Sequence, residues 1–226
     1  MVFNSVLFLG RSKCTHTKKI KSFLKKKTLK FQYIESKKYG EKFDINSIKY
    51  KKFDFIFSFR SFFILKKNLL NKCSIAAINF HPGPPEYRGI GCINYALYEN
   101  SKFYGCTAHI MDNKIDNGSI IDVKKFRIFK SDTVETCLKK TYVLAFSQAI
   151  MIIKSLLKQE NFLNKSIKKN KHLRWSKNIK SKKDLDNFYK IDLKSNKKEI
   201  NRKIRATYTT NYKPYITLND RNFFLR

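Results

Sequence analysis

Three polar residues have types and spacings that suit chemistry. Asn79 and His81 stand two apart at the end of an apolar run from Ser74 to Phe80. If that run is a strand, its period of two turns both side chains to one face. Asp116 follows later, between apolar Ile115 and a turn at Gly118, where a carboxylate can point inward. An Asn, a His and an Asp together suit acyl transfer. The amide can donate to a carbonyl oxygen that gains negative charge. The imidazole can take a proton from an attacking amine or give one to a leaving group. The carboxylate can orient the imidazole and stabilise its charged form. No serine or cysteine nucleophile is required if the amine attacks directly.

Each residue alone has an ordinary explanation. A lone His after a strand is usually a satisfied structural group. An Asn before Pro-Gly, or an Asp before Asn-Gly, often serves a turn. His109 reads as a packed, hydrogen-bonded core residue. The functional reading rests on the set, not on any member.

The elements that would position the set form an α/β pattern. Val2 to Leu9 reads as a strand ending at Gly10, followed by a helix carrying Ile20, Phe23 and Leu24. Phe31 to Ile34 is a second strand. Phe53 to Phe59 is a third, nearly continuous in apolar residues, as in a sheet buried on both faces. Leu65 to Leu70 suits a short helix, and the run into His81 is a fourth strand. Alternating strands and helices imply a mostly parallel sheet, with ligands beyond the carboxyl ends of its strands. Gly91 to Glu99 reads as helix, Tyr104 to Met111 and Ser119 to Phe129 as strands, and Asp132 as the cap of a helix to about Lys158.

Composition shifts near Asn161. Residues 1–160 read as a catalytic domain and 161–226 as a basic linker with a helical and β-hairpin extension. Lys183 to Ile191 and Lys198 to Ala206 suit helices. Tyr215 to Leu218, then Asn219-Asp220, then Asn222 to Leu225 read as a hairpin.

At 226 residues, with 42% hydrophobic and 29% charged, the chain is neither fibrous nor wholly disordered. Its formal charge is +32. Phosphate binding would use such a charge. The excess of Lys over Arg, spread along the chain beside Asn, Ile, Phe and Tyr, fits codon bias better. The N-terminal run lacks a basic leader and a cleavage site, so no signal peptide is expected. Phe53 to Leu65 is too short and too interrupted to span a bilayer. Five scattered cysteines without a Cys-x-x-Cys pair argue for reduced thiols, a cytoplasmic setting and no metal site.

Asn79-x-His81-Pro, its Pro- and Gly-rich loop, and Gly105-x-Thr107-x-His109 through Ile115-Asp116-x-Gly118 resemble the formyltransferases that use 10-formyl-tetrahydrofolate. The resemblance is strongest over roughly residues 53–130. It implies a Rossmann-like core, with Asn79 holding the formyl oxygen, His81 as acid/base and Asp116 as its partner. It implies a pterin pocket bounded by Phe63, Ile64 and Leu65 on one side and Asp112, Asn113, Lys114 and Ile115 on the other. His81-Pro-Gly-Pro-Pro-Glu-Tyr87 departs from the commoner Ser-Leu-Leu-Pro wording and looks most like the sugar N-formyltransferases, as does the tail. A nucleotide-linked amino sugar is then the expected acceptor. Tyr87, Arg88, Arg205, Tyr208 and Tyr212 are the expected acceptor-binding residues, with Arg205 on phosphate and a tyrosine on the base. A homodimer is compatible with the hairpin. Glycinamide ribonucleotide and methionyl-tRNA stay open as acceptors. A non-catalytic nucleic-acid-binding protein is the rival from another class, and the intact Asn, His and Asp weigh against it.

Overall fold

The computed structural model describes residues 1–226. Strand β1 (Phe3–Arg11) leads through a polar turn into α1 (Thr15–Lys26), and β2 (Thr28–Ser36) returns beside it. Strand β3 (Phe53–Phe59) follows, then the single-turn α2 (Lys67–Leu70), and β4 (Cys73–His81). After the motif loop come the two-residue β5 (Arg88–Gly89), α3 (Cys92–Tyr98), and the strands β6 (Phe103–Ile110) and β7 (Ile120–Arg127). The long α4 (Val134–Lys158) starts at a capping box of Thr133 and Thr136. Asp132, expected as the cap, instead lies one residue earlier, where its carboxylate accepts from the Phe129 amide, Thr136 and Lys140.

The main sheet has the order β2-β1-β3-β4-β6-β7. The first four strands are parallel, and β6 and β7 are each antiparallel to their neighbour. Strand periodicity sorts the core onto two faces. Val6 and Phe8 join Phe55, Phe57, Ile78 and Phe80 in the larger cluster, against α1 and α4. Leu7 and Leu9 face the other way, with Ile56 and Ala77. β3 reads as one apolar run because both of its faces are buried. The β3–β4 register is irregular between Phe53 and Phe55, and Phe53 falls in the second cluster. Helix α4 is long and apolar enough to cross a membrane by length and composition. Its Ala145, Ala149, Ile152 and Ile153 pack into the larger cluster.

The stretch from 161 to 183, expected as a basic linker, is packed and ordered. Helix α5 (Phe162–Lys169) lays Phe162, Leu163 and Ile167 on the larger cluster. Strand β8 (Ile179–Lys180) pairs in parallel with β5. Charge counted along the chain hid the apolar residues that α5 presents at helical spacing. Helices α6 (Lys182–Phe188) and α7 (Lys197–Thr207) then precede the hairpin of β9 (Tyr215–Leu218) and β10 (Arg221–Phe224). Asn219 and Asp220 turn it with φ of 47° and 58°, the left-handed pair of a tight two-residue turn.

Candidate active site

Strand β4 carries Ala76, Ile78 and Phe80 into the larger core cluster. Asn79 and His81 therefore share the opposite face, as their spacing requires. The antiparallel register with β6 sets Asn79 opposite His109 and His81 opposite Thr107. Asn79 Nδ2 lies 3.2 Å from His109 Nε2. His109 is packed and hydrogen-bonded as expected, but its partners are site residues. The alternation Gly105-x-Thr107-x-His109 carried that signal.

The loop after β6 brings Asp116 between the two imidazoles. Its Oδ2 is 3.4 Å from His81 Nδ1 and its Oδ1 is 3.5 Å from His109 Nε2. The Gly89 amide donates to Oδ2 at 3.1 Å. Asp116 adopts a left-handed backbone with φ of 43°, uncommon for a non-glycine residue. His81 is 4% exposed, and Asp116 8%. Burial pushes the Asp116 carboxyl up, but His81, His109 and the Gly89 amide outweigh it and hold the group well below the carboxylate range. Burial pushes His81 below an ordinary imidazole, and Asp116 restores part of the difference. At neutral pH this leaves an anionic Asp116 beside a neutral His81. Nδ1 faces Asp116 and Nε2 faces the Tyr87 carbonyl at 3.2 Å; both are acceptors, so the one hydrogen of a neutral ring satisfies one side at a time and a second proton would satisfy both. The Cys92 thiol lies 3.8 Å from Nε2 and closer to the Gly89 and Tyr87 carbonyls, at 3.3 and 3.5 Å, to which it can donate. His109 Nδ1 lies 2.8 Å from the Ile110 carbonyl, and its Nε2 stands between the Asn79 amide and Asp116 Oδ1.

The motif loop approaches His81 closely because position 83 is a glycine. A methyl group there would sit 2.7 Å from Nε2. Thr107 Oγ1 donates to the Gly83 carbonyl and the Tyr104 hydroxyl to the Pro82 carbonyl, both at 2.8 Å. Two residues expected to touch the acceptor are engaged within the fold. Tyr87 donates its hydroxyl to Glu99 at 2.7 Å, and its carbonyl faces His81 Nε2 at 3.2 Å. Arg88 is buried and donates to the Ile115 carbonyl at 2.7 Å and the Ser176 carbonyl at 2.9 Å. It ties the motif loop to the Asp116 loop and to the tail. Trp175, which belongs to no motif legible in the sequence, stands edge-on to His109 and His81, with ring centroids 4.9 Å and 5.8 Å away.

The expected pterin-binding strip follows β3. The Phe62 amide donates to Ser36 Oγ at 2.8 Å, which anchors the strip to β2. Phe63 and Leu65 pack on the second cluster beside Met111, and Ile64 is 64% exposed. The amides of Ile64 and Leu65 have no partner within the chain. On the opposite loop, Asp112 accepts from the Lys114 amide and from Asn117, so its side chain shapes the turn. Asn113, Lys114 and Ile115 are exposed. Phe63 and Leu65, with the free amides of Ile64 and Leu65, offer apolar contact and backbone donors that a heterocyclic ring could use.

In the tail, Arg205 does not stand free beside Tyr208 and Tyr212. Its guanidinium donates to the Phe129 and Asp132 carbonyls and to Asn100, holding α7 on the core. The cation beside the tyrosines is Lys213, 3.7 Å from the centre of the Tyr208 ring. Tyr212 is 67% exposed.

The chain is similar to several known proteins. The chain is 34% identical over 96 residues to the trifunctional purine biosynthetic protein adenosine-3 of Chironomus tentans, covering 41% of this chain and 7% of that protein. It is 34% identical over 104 residues to the bifunctional polymyxin resistance protein ArnA of Wigglesworthia glossinidia brevipalpis, 46% of this chain and 15% of that one. It is 29% identical over 157 residues to the methionyl-tRNA formyltransferase of Prochlorococcus marinus, 64% of this chain and 44% of that one. The chain thus spans less than half the length of each of these relatives. Among solved structures, a 4-N formyltransferase from Francisella tularensis superposes with a TM-score of 0.71 at 20% identity, covering 98% of this chain and 96% of that one. A sugar N-formyltransferase from a Shewanella species gives 0.70 at 17%, covering 98% and 96%. An N-formyltransferase from Helicobacter canadensis, solved with folinic acid and dTDP-3-aminofucose, gives 0.65 at 19%, covering 97% and 85%. At these identities the likeness is one of fold. The formyl transferase family model, however, matches residues 4–153, the greater part of the sequence and all of the Asn79, His81 and Asp116 constellation, and this chain belongs to that family.

Proposed function

We propose that this protein transfers a formyl group from 10-formyl-tetrahydrofolate to the amino group of a nucleotide-linked amino sugar, in the cytoplasm. The carrying observation is the series Asn79, His109, Asp116 and His81 at the carboxyl end of β4, with Asn79 half-buried and the other three buried. The folate supplies a formyl group activated on nitrogen. Phe63, Ile64 and Leu65, together with Asp112 to Ile115, would hold its pterin ring. Asn79 has a second amide hydrogen besides the one directed at His109, and it would donate to the formyl oxygen as charge gathers there. Neutral His81 would take the proton that the attacking amine must lose. Asp116 is already anionic and would stabilise the imidazolium so formed. Tyr208, Tyr212 and Lys213 would take the nucleotide, with residues 1–160 providing catalysis and 161–226 much of the acceptor site.

The sugar acceptor is supported by fold neighbours that align along nearly the whole chain, the tail included. Methionyl-tRNA or glycinamide ribonucleotide is the second reading, supported by one relative named a methionyl-tRNA formyltransferase and one named a purine biosynthetic protein. The test is one assay with 10-formyl-tetrahydrofolate and three acceptors: a dTDP-linked amino sugar, glycinamide ribonucleotide and initiator methionyl-tRNA. Mass spectrometry would follow the formyl group. Formylation of the sugar is expected. Transfer to either other acceptor alone would overturn the sugar assignment. A stable folate analogue should bind once per chain by calorimetry, and no binding at millimolar analogue would overturn the reading as a whole.

A further inference from the structure

Trp175 is the chain's sole tryptophan and lies beyond the family match at residues 4–153. It is nevertheless fixed against the site from three directions. Its indole nitrogen donates to the Gly118 carbonyl at 2.9 Å, two residues past Asp116. The next amide, Ser176, donates to the Pro85 carbonyl at 2.9 Å, and the Ser176 carbonyl accepts from Arg88. Immediately afterwards, Ile179 and Lys180 pair with Arg88 and Gly89. The ring meets His109 at 81° and His81 at 73°. No other aromatic ring contacts either imidazole.

We propose that Trp175 is a positioning residue of the active site, a ring delivered by the tail that holds both imidazoles in place and closes one side of them to water. The inference rests on the formyl-transfer reading for its catalytic consequence, but the contact it describes does not. The charged and titratable groups facing His81 are Asp116, His109 on β6, Arg88 on β5 and Cys92 on α3, with the Tyr87 carbonyl against Nε2. Trp175 adds no charge to this set. Its effect is to keep water from a buried imidazole, and exclusion of water favours the neutral ring.

The test compares Trp175→Phe and Trp175→Ala by acceptor kinetics and by NMR titration of the His81 imidazole in the free protein. Trp175→Phe should keep kcat within about threefold, since a ring still fills the space. Trp175→Ala should lose roughly tenfold in kcat with acceptor KM nearly unchanged, because a loosened acid/base group is a misplaced one. Its His81 should titrate about one pH unit higher as water enters. An unchanged or lowered His81 titration in Trp175→Ala would overturn the proposal. A rise in KM alone would overturn it too, making the ring a substrate wall. If Trp175→Ala does not fold, the native protein answers through its single indole. A protonated imidazole quenches an adjoining indole, so fluorescence should fall as His81 gains its proton and should lose that step in His81→Asn. A flat fluorescence profile would overturn the proposal. The titration and the fluorescence use no substrate, so they stand even if the protein transfers no formyl group.

Discussion

Burial lowers the proton affinity of His81, and Asp116 at 3.4 Å restores part of it. The neutral ring is what a base for an amine requires, and the anionic carboxylate is what the resulting imidazolium requires. Under the proposed function, His81→Asn and Asp116→Asn should each lower kcat by about 10²–10⁴-fold with the fold intact, the usual range for an acid–base group. Retention of most activity in folded His81→Asn would exclude the mechanism. The pH consequence has a definite sign. In the unfolded chain the imidazole takes a proton near about 6.5, while the folded ring resists it. The stability contributed by neutral burial is therefore complete above that value and is lost as pH falls through the folded one. NMR should find His81 titrating below an ordinary histidine. Asp116→Asn removes the group that pulls it up, so His81 should then titrate lower still. A rise in that variant would contradict the assigned pairing.

Among the elements, the two short strands β5 and β8 join the tail to the catalytic loop. Gly89 has φ of 85°, and a methyl group there would lie 2.2 Å from the Lys180 carbonyl oxygen. Only glycine allows that approach. Arg88, next to it, spans three segments through two carbonyls. Leaving a buried acceptor unsatisfied costs about 1–3 kcal/mol, so Arg88→Met should lower unfolding stability by roughly 2–4 kcal/mol in urea titrations. It should also lower kcat, because the Asp116 loop loses an anchor. If Arg88 instead contacts the acceptor, stability will stay at the native level and only KM will rise.

Across the whole molecule, the terminal hairpin exposes its apolar residues. Phe223 and Phe224 are 52% and 60% exposed on β10, a strand with one unpaired edge. An exposed, apolar edge strand recruits another strand. We propose that a second copy covers it. Phe223→Glu with Phe224→Glu should yield monomers by light scattering, with folate-analogue affinity unchanged. A native protein that is already monomeric would exclude this role. The exposed Tyr212 and the Lys213-backed Tyr208 lie at the start of the same region. Replacing both tyrosines by Ala should raise acceptor KM about tenfold if one base stacks there, with stability unchanged. A loss of stability with unchanged KM would make these rings structural.

The α/β order, the third strand's burial on both faces and the shared face of Asn79 and His81 were legible in the sequence. Each follows from local periodicity, which neighbouring residues alone dictate. The two left-handed residues of the hairpin turn were legible for the same reason, as Asn-Asp tolerates that backbone. The pairing of Asn79 with His109 was not, because it depends on the register between two strands distant in sequence. Nor were the buried ties of Arg88 and Arg205, whose charges read as free cations until the fold set carbonyls around them. The placement of Trp175 against both imidazoles lies furthest from sequence reading. It results from a strand pairing between residues 88–89 and 179–180, so only the closed tertiary structure brings that ring to the site.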